Sequence, residues 1–239
     1  MTADLRFKRV IYKVSGESLM GEQGFGIDPN MVSKVVQDIV SAQKLGAEIG
    51  IVVGGGNIFR GVALAAKGAD RVSGDQMGML ATVMNAISLK MAFDALGAPA
   101  VVMSGLDLPQ VCERFTQRGM IAHRDAGKIV IFAGGTGSPY FTTDTGAALR
   151  ASEFGAEAIL KGTNVDGIYS ADPKIDKDAV RYDEITYTDV LNKGLKVMDA
   201  AAVSLARDNN IAVLVFSIKQ EGGLATILKG EGRFTLVHG

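Results

Sequence analysis

The chain alternates short apolar runs with amphipathic stretches, and the apolar runs tend to end in glycine. Ile51-Val52-Val53 stops at Gly54-Gly55-Gly56-Asn57-Ile58-Phe59-Arg60-Gly61. A buried strand ending this way delivers bare backbone N–H groups and one cation to an anionic ligand, although a tight turn alone would also use such glycines. Upstream, Phe7 to Val14 predicts a first strand that ends at Lys13-Val14 and enters the turn Ser15-Gly16-Glu17. Asp28-Pro29 supplies a helix N-cap and first-turn proline. Val32, Val35, Val36, Ile39 and Val40 then form one helical stripe, Gly46 closes it, and Ala47 to Val53 is the next strand. The result is a right-handed βαβ unit, so Lys13 and the loop from Gly54 to Arg60 open on one edge of a parallel sheet.

The same grammar recurs downstream. Asp75 to Leu96 predicts a long Met- and Ala-rich helix, with Met77, Met79, Met84 and Met91 on a core or subunit-packing face, and Gly97-Ala98-Pro99 ends it before the run Ala100 to Met103. Lys128 to Ala133 runs into Gly134-Gly135-Thr136-Gly137-Ser138-Pro139, then Tyr140 to Asp144 and a helix to Glu153 closed by Gly155. Ala156 to Leu160 predicts a strand followed by Lys161-Gly162-Thr163-Asn164-Val165-Asp166-Gly167. The polar stretch 170–188 is expected as a surface excursion or lid. Met198 to Arg207 and Leu224 to Lys229 predict helices, and Ile211 to Phe216 and Phe234 to Val237 predict strands. Without an internal repeat or low-complexity tract, residues 1–239 form one α/β domain in this reading.

Composition narrows the function classes. With 239 residues, 47% hydrophobic and 21% charged, the chain has the makings of a sizeable core. A net charge of −1 and a pI near 6.1 provide no basic surplus for nucleic acid. No apolar run approaches the ~20 residues that cross a bilayer, and the polar start is no secretory signal, which points to the cytoplasm. Cys112 is the single cysteine and His123 and His238 are the only histidines, so no zinc cluster can be assembled from these soft ligands.

Loops at the carboxyl edge of an open α/β sheet are where ligands gather. Lys13 and Lys161 could neutralise a transferring phosphate, the glycines could donate N–H groups, and Asp144 could orient the lysines or a magnesium ion. Each has a bland alternative at this level. Lys13 could snorkel off an edge strand, Asp144 could cap the helix behind Thr143, and Arg60 and Asp75 could be surface charges. No G-x-x-x-x-G-K-[ST] loop and no strand-borne G-x-G-x-x-G is present, which disfavours Walker NTPases and dinucleotide dehydrogenases. His123-Arg124-Asp125 spells a protein-kinase tripeptide, but Val130 stands where its asparagine belongs and no D-F-G follows, so the match is coincidental.

Read together, Lys13-Val14-Ser15-Gly16-Glu17, Val53 to Gly61, Gly74-Asp75-Gln76-Met77-Gly78-Met79-Leu80-Ala81-Thr82, Gly135 to Asp144 and Asp166-Gly167-Ile168-Tyr169 resemble the bacterial UMP kinases of the amino-acid kinase superfamily over nearly the whole chain. That resemblance implies a three-layer α/β/α fold around a mainly parallel sheet, a homohexamer, and transfer of a phosphoryl group from ATP, with Mg2+ held mainly by phosphates, to UMP. By matching motif it implies that Lys13, Val14, Ser15, Gly16, Gly56 and Arg60 bind ATP, with Lys13, Ser15 and Gly16 at its phosphates and Gly56 between donor and acceptor, and that Gly55 and Arg60 meet the UMP phosphate region. Asp75 would hold the ribose. Thr136, Gly137, Ser138, Pro139, Tyr140, Phe141, Thr142 and Thr143 would line the uracil pocket, with Thr163, Tyr169 and Asp172 on the adenosine side and Lys161 and Asp144 completing the transfer machinery.

Gly21, Glu22, Gln23, Gly24, Phe25 and Gly26 resemble the segment tied to GTP activation, with UTP as an inhibitor, although the charged pattern around Lys90-Met91 is incomplete. Asn164 stands where many relatives carry lysine, so it receives no phosphate role. The alternatives are a superfamily kinase acting on a carboxylate or carbamate, and a nucleotide sensor without catalysis.

Overall fold

The computed structural model describes residues 4–59, 68, 70–173, 175–195, 197–219 and 223–239. Arg60 and the rest of 60–67 lie outside the described residues, so the placement expected for Arg60 has no structural account here.

Strand β1 (Arg9–Val14) occupies the centre of a nine-stranded sheet. To one side lie β2 (Glu48–Val53), β5 (Ile129–Ala133), β3 (Ala100–Ser104) and β4 (Glu113–Arg114); to the other lie β6 (Ala158–Thr163), β10 (Ala212–Ser217), β11 (Phe234–His238) and β9 (Glu184–Thr186). Every neighbouring pair is parallel except β10 with β11. The short strands β7 (Ile168–Tyr169) and β8 (Arg181–Tyr182) form a separate antiparallel ribbon.

Strand periodicity splits the core in two. Val10, Tyr12, Val14, Ile49, Ile51, Val53 and Leu160 pack on one face with helices α1 (Pro29–Gln43) and α2 (Arg71–Ala95). Ile11, Val52 and Ile159 point to the other face, against α3 (Gln117–Asp125), α4 (Thr143–Phe154), α5 (Tyr187–Asn192) and α6 (Ala200–Asp208). Helix α7 (Gly223–Leu228) completes the first layer through Leu224, Ile227 and Leu228. Each fully buried side chain of this size contributes about 1.5–3 kcal/mol, and the alternation leaves both sheet faces apolar, which is what a parallel sheet covered by helices requires. The expected three-layer architecture is therefore present.

Several boundaries differ from expectation for identifiable reasons. Helix α2 begins at Arg71 rather than at Asp75, because Asp70 caps it by accepting from the Ser73 N–H at 2.8 Å. Strand β6 continues through Lys161 to Thr163, since β10 pairs with it as far as Ser217 opposite Thr163. The stretch 170–188 is not wholly an excursion. Its first part hangs from the β7–β8 ribbon, where the Ser170 N–H donates to the Val180 carbonyl at 2.9 Å. Its last part enters the main sheet as β9, and Tyr187 is buried at the start of α5.

Candidate active site

The carboxyl ends of β1, β2, β5 and β6 open together beside the central strand, from which the chain builds outward in both directions. That switch in strand order leaves a crevice at the sheet edge. Lys13 and Lys161 are register partners on the adjacent parallel strands β1 and β6. Both side chains converge on one carboxylate, with Lys13 Nζ 2.9 Å from Asp144 Oδ1 and Lys161 Nζ 2.7 Å from Asp144 Oδ2. All three side chains are largely withdrawn from solvent, at 12–16% exposure. The Lys13 ammonium is the close partner of the buried Asp144 Oδ1.

Asp144 is free for this because it is not the cap of its helix. Thr142 is, its hydroxyl accepting from the Asp144 N–H at 3.0 Å and the Thr145 N–H at 3.4 Å. The carboxylate thus sits in the first turn, where the positive end of the helix dipole favours it. Burial pushes the Asp144 carboxyl up, but the two ammonium groups outweigh it and hold it below the usual carboxylate range. Burial pushes Lys161 down, Lys13 adds to that, and the attraction of Asp144 only partly offsets them. Among the groups in direct contact, one carboxylate between two lysines leaves one positive charge available to a phosphate, with Asp199 a further negative charge that Lys161 feels without a direct contact.

Asp199 was not singled out by sequence reasoning, yet it fastens this group. It accepts from the hydroxyls of Thr142 and Thr145, the latter at 2.8 Å, and caps α6 through the Ala202 N–H at 2.9 Å. The adjacent Val197 carbonyl accepts from Lys161 Nζ. The available signal was an aspartate immediately before an alanine-rich amphipathic run, the pattern of an N-cap.

The glycines sit where side chains cannot. A Cβ on Gly16 would lie 2.4 Å from Asn57 Oδ1 and 2.8 Å from the Gly54 carbonyl, and one on Gly55 would lie 2.8 Å from the Gly78 carbonyl and 2.9 Å from Ala81 Cβ. The end of β1, the first glycine loop and α2 therefore approach one another too closely for a side chain at Gly16 or Gly55. Val14 contributes backbone alone, since its side chain is core and its carbonyl accepts from the Gly54 N–H at 2.9 Å. Ser15 precedes a short 3-10 turn, Gly16–Leu19.

Opposite lies the second glycine loop. Thr136 and Ser138 bond each other at 3.2 Å, and the Tyr140 N–H donates to Asp75 Oδ2 at 2.8 Å. Tyr140 holds a left-handed backbone, φ 72°, with its ring over the Arg71 guanidinium at 5.7 Å. Arg71 Nε in turn holds both Asp75 oxygens at 2.8 and 2.9 Å. The structure thus joins Asp75 to the loop bearing Thr136, Gly137, Ser138, Pro139, Tyr140, Phe141, Thr142 and Thr143, and adds Arg71, which the sequence reading overlooked.

Thr163 ends β6, its hydroxyl donating to the Val165 carbonyl at 2.7 Å, and Tyr169 and Asp172 follow on and after β7. The Tyr169 hydroxyl donates to Asp166 at 2.6 Å. Gly21 to Gly26 lies beside the first glycine loop, with the Gly26 N–H donating to the Asn57 carbonyl at 2.8 Å and Phe25 exposed. His123, Arg124 and Asp125 sit at the end of α3, where Arg124 donates to the Phe154 carbonyl and His123 meets Glu113, away from the lysines and in line with a coincidental match.

An excess of positive charge in a sheltered crevice between two glycine loops is the equipment for stabilising a phosphoryl group between two anionic substrates, so the class defined is a phosphotransferase. The profile of the Amino acid kinase family matches residues 8–217. The uridylate kinase of Agrobacterium fabrum (strain C58) is 60% identical over 232 residues, covering 97% of this chain and 96% of that protein. That of Brucella abortus biovar 1 (strain 9-941) is 58% identical over 237 residues, 99% of each. The crystal structure of UMP kinase from Ureaplasma parvum superposes with a TM-score of 0.93 at 36% identity, covering 98% of this chain and all of that one. The chain belongs to the amino acid kinase family, among the uridylate kinases.

Proposed function

We propose that this protein transfers the γ-phosphoryl group of ATP to UMP, giving ADP and UDP. The observation that carries it is the convergence of Lys13 and Lys161 on Asp144 at the carboxyl edge of the sheet, between the two glycine loops. An oxygen of the UMP phosphate forms a bond to γ-phosphorus while the bond to the β–γ bridging oxygen breaks, and ADP leaves with that electron pair. The acceptor oxygen is already ionised, so no general base is required, and rate enhancement comes from alignment and charge neutralisation. Lys13 and Lys161 neutralise the equatorial oxygens. Asp144 keeps the two ammonium groups from repelling each other out of position.

Ser15 and Gly16 offer N–H groups to ATP, and Gly55 and Gly56 meet the phosphates between donor and acceptor. Asp75 holds the ribose, the loop from Thr136 to Thr143 surrounds the uracil, and Thr163, Tyr169 and Asp172 flank the adenosine. Arg60 takes the UMP phosphate on the strength of the motif alone. Among the described residues there is no group of three or more His, Cys, Asp or Glu placed to hold a metal, which fits a magnesium ion bound chiefly by phosphate oxygens and water. When bound there, it would neutralise further phosphate charge.

The chain acts as one domain, with the ribbon-borne part of 170–188 as a lid over the adenosine. Self-association into a hexamer is supported by Met77, Leu80, Met84 and Met91, exposed apolar side chains recurring along α2. GTP and UTP control through Gly21 to Gly26 rests on the resemblance and on the loop's bond to Asn57. A cytoplasmic setting accords with the absence, among the described residues, of any helix long and apolar enough to cross a membrane. The test is UDP formation from MgATP and UMP by purified protein, against a panel including carboxylate and carbamate acceptors. UMP turnover with the others untouched supports the reading, and consumption of another acceptor in place of UMP overturns it.

A further inference from the structure

We infer that the buried polar face of α2, Thr82 and Asn85, together with Asn57, is a positioning device that sets the gap between the two glycine loops. The inference deepens the phosphotransfer reading and rests on its placing the phosphates between those loops. Thr82 and Asn85 are one turn apart on α2 and are 2% and 0% exposed, in a helix whose other buried side chains are mostly small or apolar. The Asn85 amide donates to the Gly54 carbonyl at 2.7 Å and to Asn57 Oδ1 at 2.7 Å. The Asn57 amide donates to Asn85 Oδ1 at 3.1 Å and to the Gly26 carbonyl at 2.7 Å. Thr82 accepts the Gly134 N–H at 2.8 Å and donates to the Met79 carbonyl at 2.7 Å.

Both N–H bonds of each amide are used, and both amide oxygens accept, so this is a closed network in a dry setting. One turn of helix therefore grips the first glycine loop by a carbonyl and the second by an N–H. A helix turn is stiff where a glycine run is soft, and the soft element borrows its geometry from the stiff one. The same network reaches the donor side, because Gly16 packs against both Asn57 Oδ1 and the Gly54 carbonyl. Thr82, Asn85 and Asn57 need touch neither nucleotide. They act by holding Gly54, Gly134 and Gly16 at fixed separations, and Gly21 to Gly26 is attached to the same frame through Gly26.

Positioning is distinguishable from mere support. In steady-state kinetics with ATP and UMP both saturating, Thr82→Val, which keeps the shape and removes the hydroxyl, and Asn85→Ala should each lower kcat about tenfold or more. The control is Leu89→Ala, a fully buried apolar truncation on the same helix. It should lower Tm at least as much while leaving kcat per folded molecule within about threefold of wild type, because Leu89 packs in the apolar core one turn beyond Asn85 and bonds to neither glycine loop. A protonated carboxyl can donate one bond where a carboxylate can donate none, so the ratio of Asn85→Asp to Asn85→Ala rates should rise as pH falls. Wild-type kcat in Thr82→Val and Asn85→Ala, or an equal kcat loss in Leu89→Ala, would overturn the inference. Should the wild-type enzyme prefer an acceptor other than UMP, the same comparison run with that acceptor tests the device independently of the substrate assignment.

Discussion

Two of the carboxylates in this crevice, Asp144 and Asp75, are equipped for different work. Asp144 lies between two lysines and is outnumbered, so the cluster keeps a positive charge to spend on a phosphate. Asp75 is matched one to one by Arg71 and steered by the Tyr140 N–H, so its charge is balanced while its remaining lone pairs stay available. The first arrangement suits stabilising charge in transit and the second suits recognising hydroxyl groups, which is the division of roles proposed for them. Side-chain exposure does not separate them, at 16% and 13%. Among the described residues, the number of cations in contact with each carboxylate does.

The largest expected effect falls on the outnumbered carboxylate. Asp144→Asn should lower kcat by roughly 10²–10³, comparable to loss of a transition-state stabilising group, with the KM for UMP changed only a few-fold, and a KM effect without a kcat effect would reverse the two roles. Next is the pH response. Lys161 releases its proton below the 10.5 of an exposed lysine, burial being the first cause. Proton loss removes the charge that a phosphate needs, so kcat/KM, which reports the free enzyme, should fall as pH rises through that lowered value. Lys161→Arg, whose guanidinium keeps its proton, should abolish this alkaline limb whatever it does to the absolute rate. A limb that persists in Lys161→Arg would assign it to another group.

Smaller effects belong to the matched carboxylate. Asp75→Asn should raise the KM for UMP about tenfold, the worth of a hydrogen bond to a charged group, with kcat little altered. Arg71→Ala should raise it only about twofold, since a half-exposed i,i+4 pair contributes a few tenths of a kcal/mol. If Arg71→Ala exceeded Asp75→Asn, the arginine would be the ligand and the aspartate its support.

Much of the frame was legible from pattern. Asp28-Pro29, the Val32 to Val40 stripe and the run into Gly54 all formed the elements they predict, because local propensity and burial agree there. Short strands such as Glu113–Arg114 and Glu184–Thr186 were invisible, since pairing with β3 and β11 creates them rather than any periodicity. The lysines were visible as strand ends, but their meeting was not. It depends on β6 lying beside β1, a matter of strand order, and on Thr142 taking the cap so that Asp144 turns inward. Asp199 and Asn85 were overlooked because each is ordinary in its own segment and acquires a role only through a tertiary partner, whereas Arg71, an i,i+4 partner of Asp75, was overlooked because the helix was expected to begin at Asp75.

The central claim is that two lysines held by Asp144 stabilise the phosphoryl group during transfer to UMP. Its most direct test is the single-turnover rate of UDP formation in wild type and Lys161→Ala, with both substrates saturating and UMP affinity measured in parallel. The account predicts a chemical step slowed by about 10²-fold or more with UMP affinity nearly unchanged. An unchanged single-turnover rate in Lys161→Ala would contradict it.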